Sequence, residues 1–241
     1  MTEWWDYGLA DFLLFSPRVY YRLFETMNSV WWMAVLAAFV AGLVAAGMAM
    51  RHGHRGNRVI LVLLSLIWAW TSYGFVWQYY QPINWAVAYI LPGFVIEILL
   101  LLVFAARPLP LRFGWRGDLT SYVGAAIMVV AIVIYPFVGL LEGRDLIQAE
   151  LFGSAADPTA LGTLGFVLMA RGTWRWLLLP VPLIWCAFAA ATLWVMDQQI
   201  AYVMLIAVWL TIFSGWLDLK NGVTTRRLTK AELADPPPVS D

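Results

Sequence analysis

Charged residues are scarce in this 241-residue chain. Only 12% of its residues are Asp, Glu, Lys or Arg, whereas 62% are hydrophobic, and the mean hydropathy is +0.75. An ordinary soluble domain carries about 25% charged residues, so the composition excludes one. Fifteen basic residues balance fifteen acidic ones, and no net positive charge favours nucleic acid as a partner. The composition predicts an integral membrane protein whose main partner is the lipid bilayer.

Cysteine and histidine are almost absent. The single cysteine, Cys186, lies within an apolar run, so it can form no internal disulfide and has no second thiol for a metal site. The two histidines, His52 and His54, stand close together in a stretch rich in arginine. A b-type haem needs axial histidines on membrane spans, and a metal site needs carboxylate or thiol neighbours. We therefore predict no metal and no cofactor.

Apolar runs of about 20 residues recur along the chain and predict seven membrane-spanning helices. The predicted spans are 31–50, 59–79, 85–106, 119–141, 158–170, 174–196 and 199–217. The fifth span is short and contains glycine. We expect an all-α bundle over residues 29–219. An outer amphipathic segment, 1–28, precedes it, and a partly disordered cytoplasmic tail, 220–241, follows.

The positions of Lys and Arg predict the orientation of this bundle. If the N-terminus is outside and all seven spans cross, twelve of the fifteen basic residues are inside. These twelve are Arg51, Arg55, Arg58, Arg107, Arg112, Arg116, Arg171, Arg175, Lys220, Arg226, Arg227 and Lys230. Such an excess is typical of the cytoplasmic side. The asymmetry would be largely lost if span 158–170 did not cross, so we predict that it does.

The residues before the first span predict a short amphipathic helix on the outer surface. Ser16 followed by Pro17 is typical of a helix start. Arg18, Arg22 and Glu25 follow at spacings of four and three residues, which places them on one face. We expect a helix at the membrane interface whose charged face is available to dock a partner.

Glu97 is the only charged residue predicted deep inside a span. It lies near the bilayer centre, where a charge costs at least about 3 kcal/mol, and no Lys, Arg or His is predicted at that depth. Three interpretations stay open. The carboxyl group is neutral and hydrogen-bonded through Thr71 or Ser72, or it faces a water-filled cavity, or it binds a proton or cation.

Other unusual residues are predicted near the same depth. Pro92 and Gly93 lie one turn before Glu97, and they indicate either a broken helix that exposes backbone carbonyls to a ligand or an ordinary kink. Four tryptophans are predicted at mid-membrane: Trp68, Trp70, Trp185 and Trp209. Each indole N–H needs a partner there, and the rings either line a pocket for a hydrophobic or cationic ligand or simply pack.

The loop between the fourth and fifth spans is acidic. It carries Glu142, Asp145, Glu150 and Asp157 against Arg144. We expect the loop to be solvated, because charged residues between spans normally face water. The acidic group has no obvious base beside it, whereas membrane enzymes need an acid, base or nucleophile near the interface. An enzyme is therefore the least favoured interpretation.

Three segments resemble a bacterial family of multi-pass membrane proteins of unknown function. The first joins Glu3-Trp4-Trp5 to residues 11–25, DFLLFSPRVYYRLFE. The others are residues 158–169, PTALGTLGFVLM, and residues 175–185, RWLLLPVPLIW. The resemblance implies a multi-pass protein of a bacterial inner membrane.

Two hypotheses about function follow from these features. The first is a small permease or an ion- or proton-coupled transporter in which Glu97 titrates beside Pro92 and Gly93. The alternative is a non-catalytic subunit or scaffold, either in a homo-oligomer or with a partner membrane subunit. It rests on the outer helix and on small residues spaced by four in the first span, which let helices approach closely. These small residues are Ala34, Ala38, Gly42 and Ala46.

Overall fold

The computed structural model describes residues 15–51, 56–107 and 111–234, with side chains as far as Lys220. His52 and His54 lie outside the described residues. Helices dominate the described ranges. They are α1 Pro17–Val30, α2 Trp32–Met50, α3 Asn57–Trp70, α4 Val87–Ala106, α5 Leu119–Val129, α6 Tyr135–Leu141, α7 Ala156–Met169, α8 Pro180–Val195 and α9 Ile200–Ala234.

π-helical segments extend or join these helices into two longer continuous helices. The π-helical segment Thr71–Tyr80 continues α3, and the π-helical segment Val130–Ile134 joins α5 to α6. Among the residues that the structure describes, six helices are then long and apolar enough to cross a membrane, as the sequence predicts for six of its spans. They are Trp32–Met50, Asn57–Tyr80, Val87–Ala106, Leu119–Leu141, Thr173–Val195 and Ile200–Lys220. The helical, membrane-like architecture is confirmed at this level.

Helix α7 corresponds to the short predicted span 158–170 and lies at the centre of the bundle. Its 14 residues are all buried, and at 1.5 Å per residue the helix is about 21 Å long. It packs mainly on α5 and α8. Two glycines bring it close to α5, because a Cβ atom at Gly165 would lie 2.6 Å from the Gly124 carbonyl oxygen.

Several helix ends meet at one face of the bundle, which we call the arginine face. Strand β1, Arg112–Phe113, pairs antiparallel with strand β2, Ala170–Arg171, and so joins the end of α4 to the end of α7. The Phe113 N–H donates to Asn57 Oδ1 at 3.0 Å, which adds the start of α3. The buried Arg175 guanidinium bonds to Asp218 in the middle of α9.

Helix α1 covers the opposite face, which we call the tyrosine face. Ser16 caps its start as predicted, accepting from the Val19 N–H. Its apolar side packs on protein, with the Phe24 ring stacked 4.6 Å from the Phe75 ring. Asn28 Nδ2 donates at 2.7 Å to a carbonyl of the loop that follows α6. The amphipathic pattern of α1 predicts that one side is covered, but it does not distinguish protein from lipid as the cover.

The segment before α7 descends into the bundle. Its Phe152 ring lies between Gly42 of α2 and Gly162 of α7. A Cβ atom at Gly42 would lie 2.6 Å from Phe152 Cε1, and one at Gly162 would lie 2.8 Å from Phe152 Cδ2. A Cβ atom at the next residue, Gly153, would lie similarly close to the Ala38 backbone. Part of the small-residue stripe of α2 is therefore used for packing inside this chain.

Candidate functional site

Asp157 lies in the first turn of α7 and is only 3% exposed. Trp185 Nε1 donates to its Oδ1 at 2.9 Å, and the Tyr20 hydroxyl donates to its Oδ2 at 3.2 Å. Both carboxyl oxygens are thus engaged by donors from two different helices, α8 and α1. The start of α7 adds the positive end of a helix dipole, which favours an anion at this position.

Glu150 is a second buried carboxyl group, also 3% exposed, and it faces the same Tyr20 hydroxyl. Its Oε2 lies 3.9 Å from Arg144 Nη1, while its Oε1 has no hydrogen-bond partner among the described residues. Burial is the main cause that raises the pKa of Glu150 above its usual range. The negative charge of Asp157 raises this pKa further, and Arg144 opposes the shift.

Tyrosines enclose these two carboxyl groups. The Tyr135 hydroxyl is buried within electrostatic range of both and has no hydrogen-bond partner in the described part of the chain. Burial raises the pKa of Tyr20 well above its usual value, so Tyr20 stays a neutral donor at physiological pH. We call the group formed by Glu150, Asp157, Tyr20, Tyr135 and Arg144 the outer carboxyl cluster, because the sequence predicts that this side of the bundle lies outside.

An aromatic layer lies beneath the outer carboxyl cluster. The Phe94 ring meets Trp68 edge-to-face at 4.8 Å and Trp185 at 4.9 Å. Trp68 Nε1 donates to Thr163 Oγ1 of α7 at 3.0 Å. Trp68 and Trp185, two of the four predicted mid-membrane indoles, are therefore hydrogen-bonded and packed around Phe94. Trp185 links the layer directly to Asp157.

Glu97 follows Phe94 by one turn of α4, on the other side of this layer. It is fully buried, and neither carboxyl oxygen has a hydrogen-bond partner among the residues described. The Ser72 hydroxyl donates to the Trp68 carbonyl at 2.6 Å, and Thr71 Oγ1 has no partner in the same ranges. Neither hydroxyl bonds to Glu97. The interpretation in which its carboxyl group is hydrogen-bonded through Thr71 or Ser72 therefore does not describe the structure.

The remaining predicted residues are placed separately. Helix α4 continues without a break through Pro92 and Gly93. Trp70 Nε1 donates to Ser154 Oγ at 3.3 Å, beside α2 rather than in the aromatic layer. Trp209 is 71% exposed on α9 and faces outward. Of the four tryptophans, only Trp68 and Trp185 are brought together.

The charged face predicted for the outer helix is present on α1. Arg18 and Arg22 are exposed, and neither pairs with a carboxyl group within the described ranges. Glu25 is half-buried, and its Oε2 accepts a hydrogen bond from Gln148 Nε2 at 3.0 Å. This contact ties α1 to the loop that carries Glu150.

The expectation that the whole acidic loop is solvated was wrong for Glu150 and Asp157. Glu142 and Asp145 are exposed as expected, but the later part of the loop turns into the bundle. The signal for this was the apolar pair Leu151-Phe152 directly after Glu150, since a solvated loop has no reason to carry it. Reading the loop by its charge alone missed the cluster.

Comparison with known proteins agrees with the resemblance seen in the sequence. Residues 17–223, which include all of the groups described above, match the family of unknown function DUF6064. No curated protein and no solved structure matches the chain. The match covers most of the 241 residues, and the chain therefore belongs to the DUF6064 family.

Proposed function

We propose that this protein is a proton- or cation-coupled membrane transporter with seven spans. The observation that carries the proposal is a set of buried carboxyl groups at two levels of an apolar bundle. Glu150 and Asp157 lie at the tyrosine face, and Glu97 lies beyond the aromatic layer. A bundle built only for stability would gain from replacing such groups with apolar residues.

The carboxyl groups are poorly compensated by positive charge. Arg144 lies 3.9 Å from Glu150, and neither Glu97 nor Asp157 has an ion pair within the described ranges. Buried ionisable groups of this kind mark ion pathways or proton relays in membrane proteins. Each carboxyl group can be neutralised by binding a proton or a cation, and this change of charge is what couples an ion gradient to a change of conformation.

The proposed orientation places the tyrosine face outside and the arginine face in the cytoplasm of a bacterial inner membrane. It is supported by the excess of Lys and Arg expected on a cytoplasmic side. It is also supported by the pairing of β1 with β2, which holds the end of α7 on the same side as the end of α4. A crossing by α7 is favoured although the helix is short. The descending segment with Phe152 and the aromatic side of α1 fill the space above it.

The test is solute-driven proton flux in vesicles that contain the purified protein and a pH-sensitive dye. Classes of solute are added in turn across an imposed pH gradient: amino acids, sugars, organic amines and inorganic cations. We expect one class to speed the loss of the gradient, and Glu97→Gln to abolish that effect because its side chain cannot titrate. Asp145→Asn is the control, since Asp145 is exposed.

Flux that is unchanged in Glu97→Gln would contradict a role for this group in coupling. If no solute class acts on wild-type vesicles more than on empty ones, the transporter proposal itself is wrong. The intact fold of each variant is checked by its elution as a single species in detergent.

A subunit of a larger assembly is the second candidate. It is favoured by Arg18 and Arg22, which project from α1 without a carboxyl partner in the described part of the chain. Two exposed guanidinium groups one turn apart suit an acidic patch on a periplasmic or membrane partner. Purification in mild detergent separates the candidates. A stoichiometric partner favours the subunit, and a lone protein or homo-oligomer favours the transporter.

A further inference from the structure

We propose that the outer carboxyl cluster is a proton-binding site in which the Tyr20 hydroxyl relays a proton from Glu150 to Asp157. The inference deepens the proposed function by naming the proton as the ligand at the tyrosine face. The relay itself rests on the contacts of three side chains that come from α1, the loop before α7 and the first turn of α7.

The contacts of Asp157 favour a proton over a metal ion. Both of its oxygens already accept hydrogen bonds, at 2.9 and 3.2 Å, from neutral donors, which leaves fewer of their lone pairs for the coordination shell that a cation requires. No group of three or more potential metal ligands is found among the described residues. A proton needs no coordination shell and can join a carboxyl oxygen that keeps its existing neighbour.

The Tyr20 hydroxyl lies beside both acids. It donates its proton to Asp157 Oδ2 at 3.2 Å, and it neighbours Glu150 without donating to it. A hydroxyl group has one proton to donate and lone pairs with which to accept. A tyrosine between two carboxyl groups can therefore bridge them when one of the two is protonated and donates to it.

The transfer is balanced. The Glu150 carboxyl O–H bond breaks, and its proton joins Tyr20 Oη. The original Tyr20 O–H bond breaks, and that proton joins Asp157 Oδ2. Tyr20 is neutral before and after, Glu150 becomes an anion beside Arg144, and Asp157 becomes a neutral acid. Rotation of the Tyr20 hydroxyl then restores the starting hydrogen bond.

Two orphaned atoms indicate that this cluster has a ligand. Glu150 Oε1 and the Tyr135 hydroxyl are both buried, and each has no hydrogen-bond partner within the described ranges. Buried polar atoms are normally satisfied, and an exception needs an explanation. A proton on Glu150, passed through the cluster, turns this carboxyl group from an acceptor into a donor.

The charged and titratable groups around the relay come from every neighbouring element. Arg144 offsets the Glu150 anion, and Glu142, which bonds to Arg144 at 2.8 Å, is the exposed acid from which a proton can enter. The remaining neighbouring groups are phenols and a thiol, which are ordinarily neutral at physiological pH: Tyr21, Tyr80, Tyr135 and Cys186. Asp157 is therefore the only strong acceptor beyond Tyr20 among the described neighbours.

The experiment uses the purified full chain in detergent. A light flash releases protons from a caged acid, and infrared absorption follows the C=O band of the protonated Asp157 carboxyl. Asp157→Asn identifies this band by removing it. We expect Tyr20→Phe to slow the rise of the band by about tenfold or more, as for loss of a positioned acid–base group, with the final amplitude retained.

Tyr21→Phe is the matched control. Tyr21 is the adjacent buried tyrosine on α1, but its hydroxyl donates to Gln198 Oε1 at 3.0 Å rather than to an acid. Both variants keep the ring and its packing, so a general loosening of α1 would affect them alike. Glu150→Gln should slow the rise of the band as Tyr20→Phe does. The double variant should be no slower than either single variant, because both changes block the same step.

The relay is overturned if Tyr20→Phe and Tyr21→Phe give the same rate, or if no band is lost in Asp157→Asn. Neither result depends on transport. If the rise of the Asp157 band depends on Tyr20 but no solute drives proton flux in vesicles, the relay stands and the transporter proposal is rejected. If flux depends on Glu97 but the rise of the band does not depend on Tyr20, the transporter stands and the relay is rejected.

Discussion

At the residue scale, the sequence located one of the three acids that are buried among the described residues. Glu97 stands inside a continuous apolar run, so its burial could be predicted from its neighbours along the chain. Glu150 and Asp157 belong to a polar loop by composition. Their burial is produced by contacts with residues distant in sequence, such as Tyr20 and Trp185, and no local pattern reports such contacts. Trp68 and Trp185 were singled out from the sequence, but their contacts with Phe94 could not be predicted for the same reason.

The pKa of Glu150 makes a prediction about stability. Burial raises this pKa to about 8, above its value of about 4.3 in the unfolded chain, so between these two pH values the folded state keeps a proton that the unfolded chain has released. Stability must then fall with rising pH, by at most about 1.4 kcal/mol per pH unit for one proton. We expect the unfolding temperature in detergent to fall more steeply above about pH 5 in the wild type than in Glu150→Gln. Equal slopes would contradict the prediction, and Asp145→Asn should keep the wild-type slope.

At the scale of helices, the predicted span bounds agree with the structure to within a few residues except at the last end, because apolar runs end where polar residues begin. Helix α9 continues past the predicted end at 217 as far as Ala234, through most of the predicted tail. The predicted span 119–141 has the bounds of the rod formed by α5, its π-helical segment and α6. What the runs could not show is packing. The short α7 takes the centre of the bundle, and α1 packs on protein. At the tyrosine face, the space next to the start of α7 is filled by side chains from α1 and from the segment that carries Phe152.

The glycine contacts of Phe152 test this packing. Gly162→Ala places a methyl group against the Phe152 ring, which cannot retreat because Gly42 of α2 closes its other side. Overpacking of this kind costs about 1–3 kcal/mol, so we expect a lower unfolding temperature in detergent. Gly47→Ala is the control, since nothing lies within 4 Å of its Cβ position. Adding Phe152→Leu to Gly162→Ala should cost less than the two separate changes together. Additive losses would show that the ring and the glycine do not act as a pair.

At the scale of the whole molecule, the two faces have different chemistry. The arginine face joins helix ends through the ribbon of β1 and β2 and through the contacts of Arg175. The tyrosine face holds the outer carboxyl cluster under α1. The proposed orientation places Glu150 and Asp157 where protons from outside can reach them, and it places most of the Lys and Arg residues on the cytoplasmic side.

Cysteine labelling in intact cells tests this orientation and the crossing by α7 together. The native Cys186 is fully buried, so the wild type should stay unlabelled by a membrane-impermeant maleimide and serves as the background. Asp145→Cys lies before α7 and Thr173→Cys lies after it, both at exposed positions. We expect Asp145→Cys to react from outside and Thr173→Cys to react only after the membrane is opened. Labelling of both from the same side would mean that α7 does not cross, and the reverse pattern would mean that the carboxyl cluster faces the cytoplasm. In that second case Glu150 and Asp157 would receive protons from the cell interior, so the relay would run in the same order of residues but in the opposite direction across the membrane.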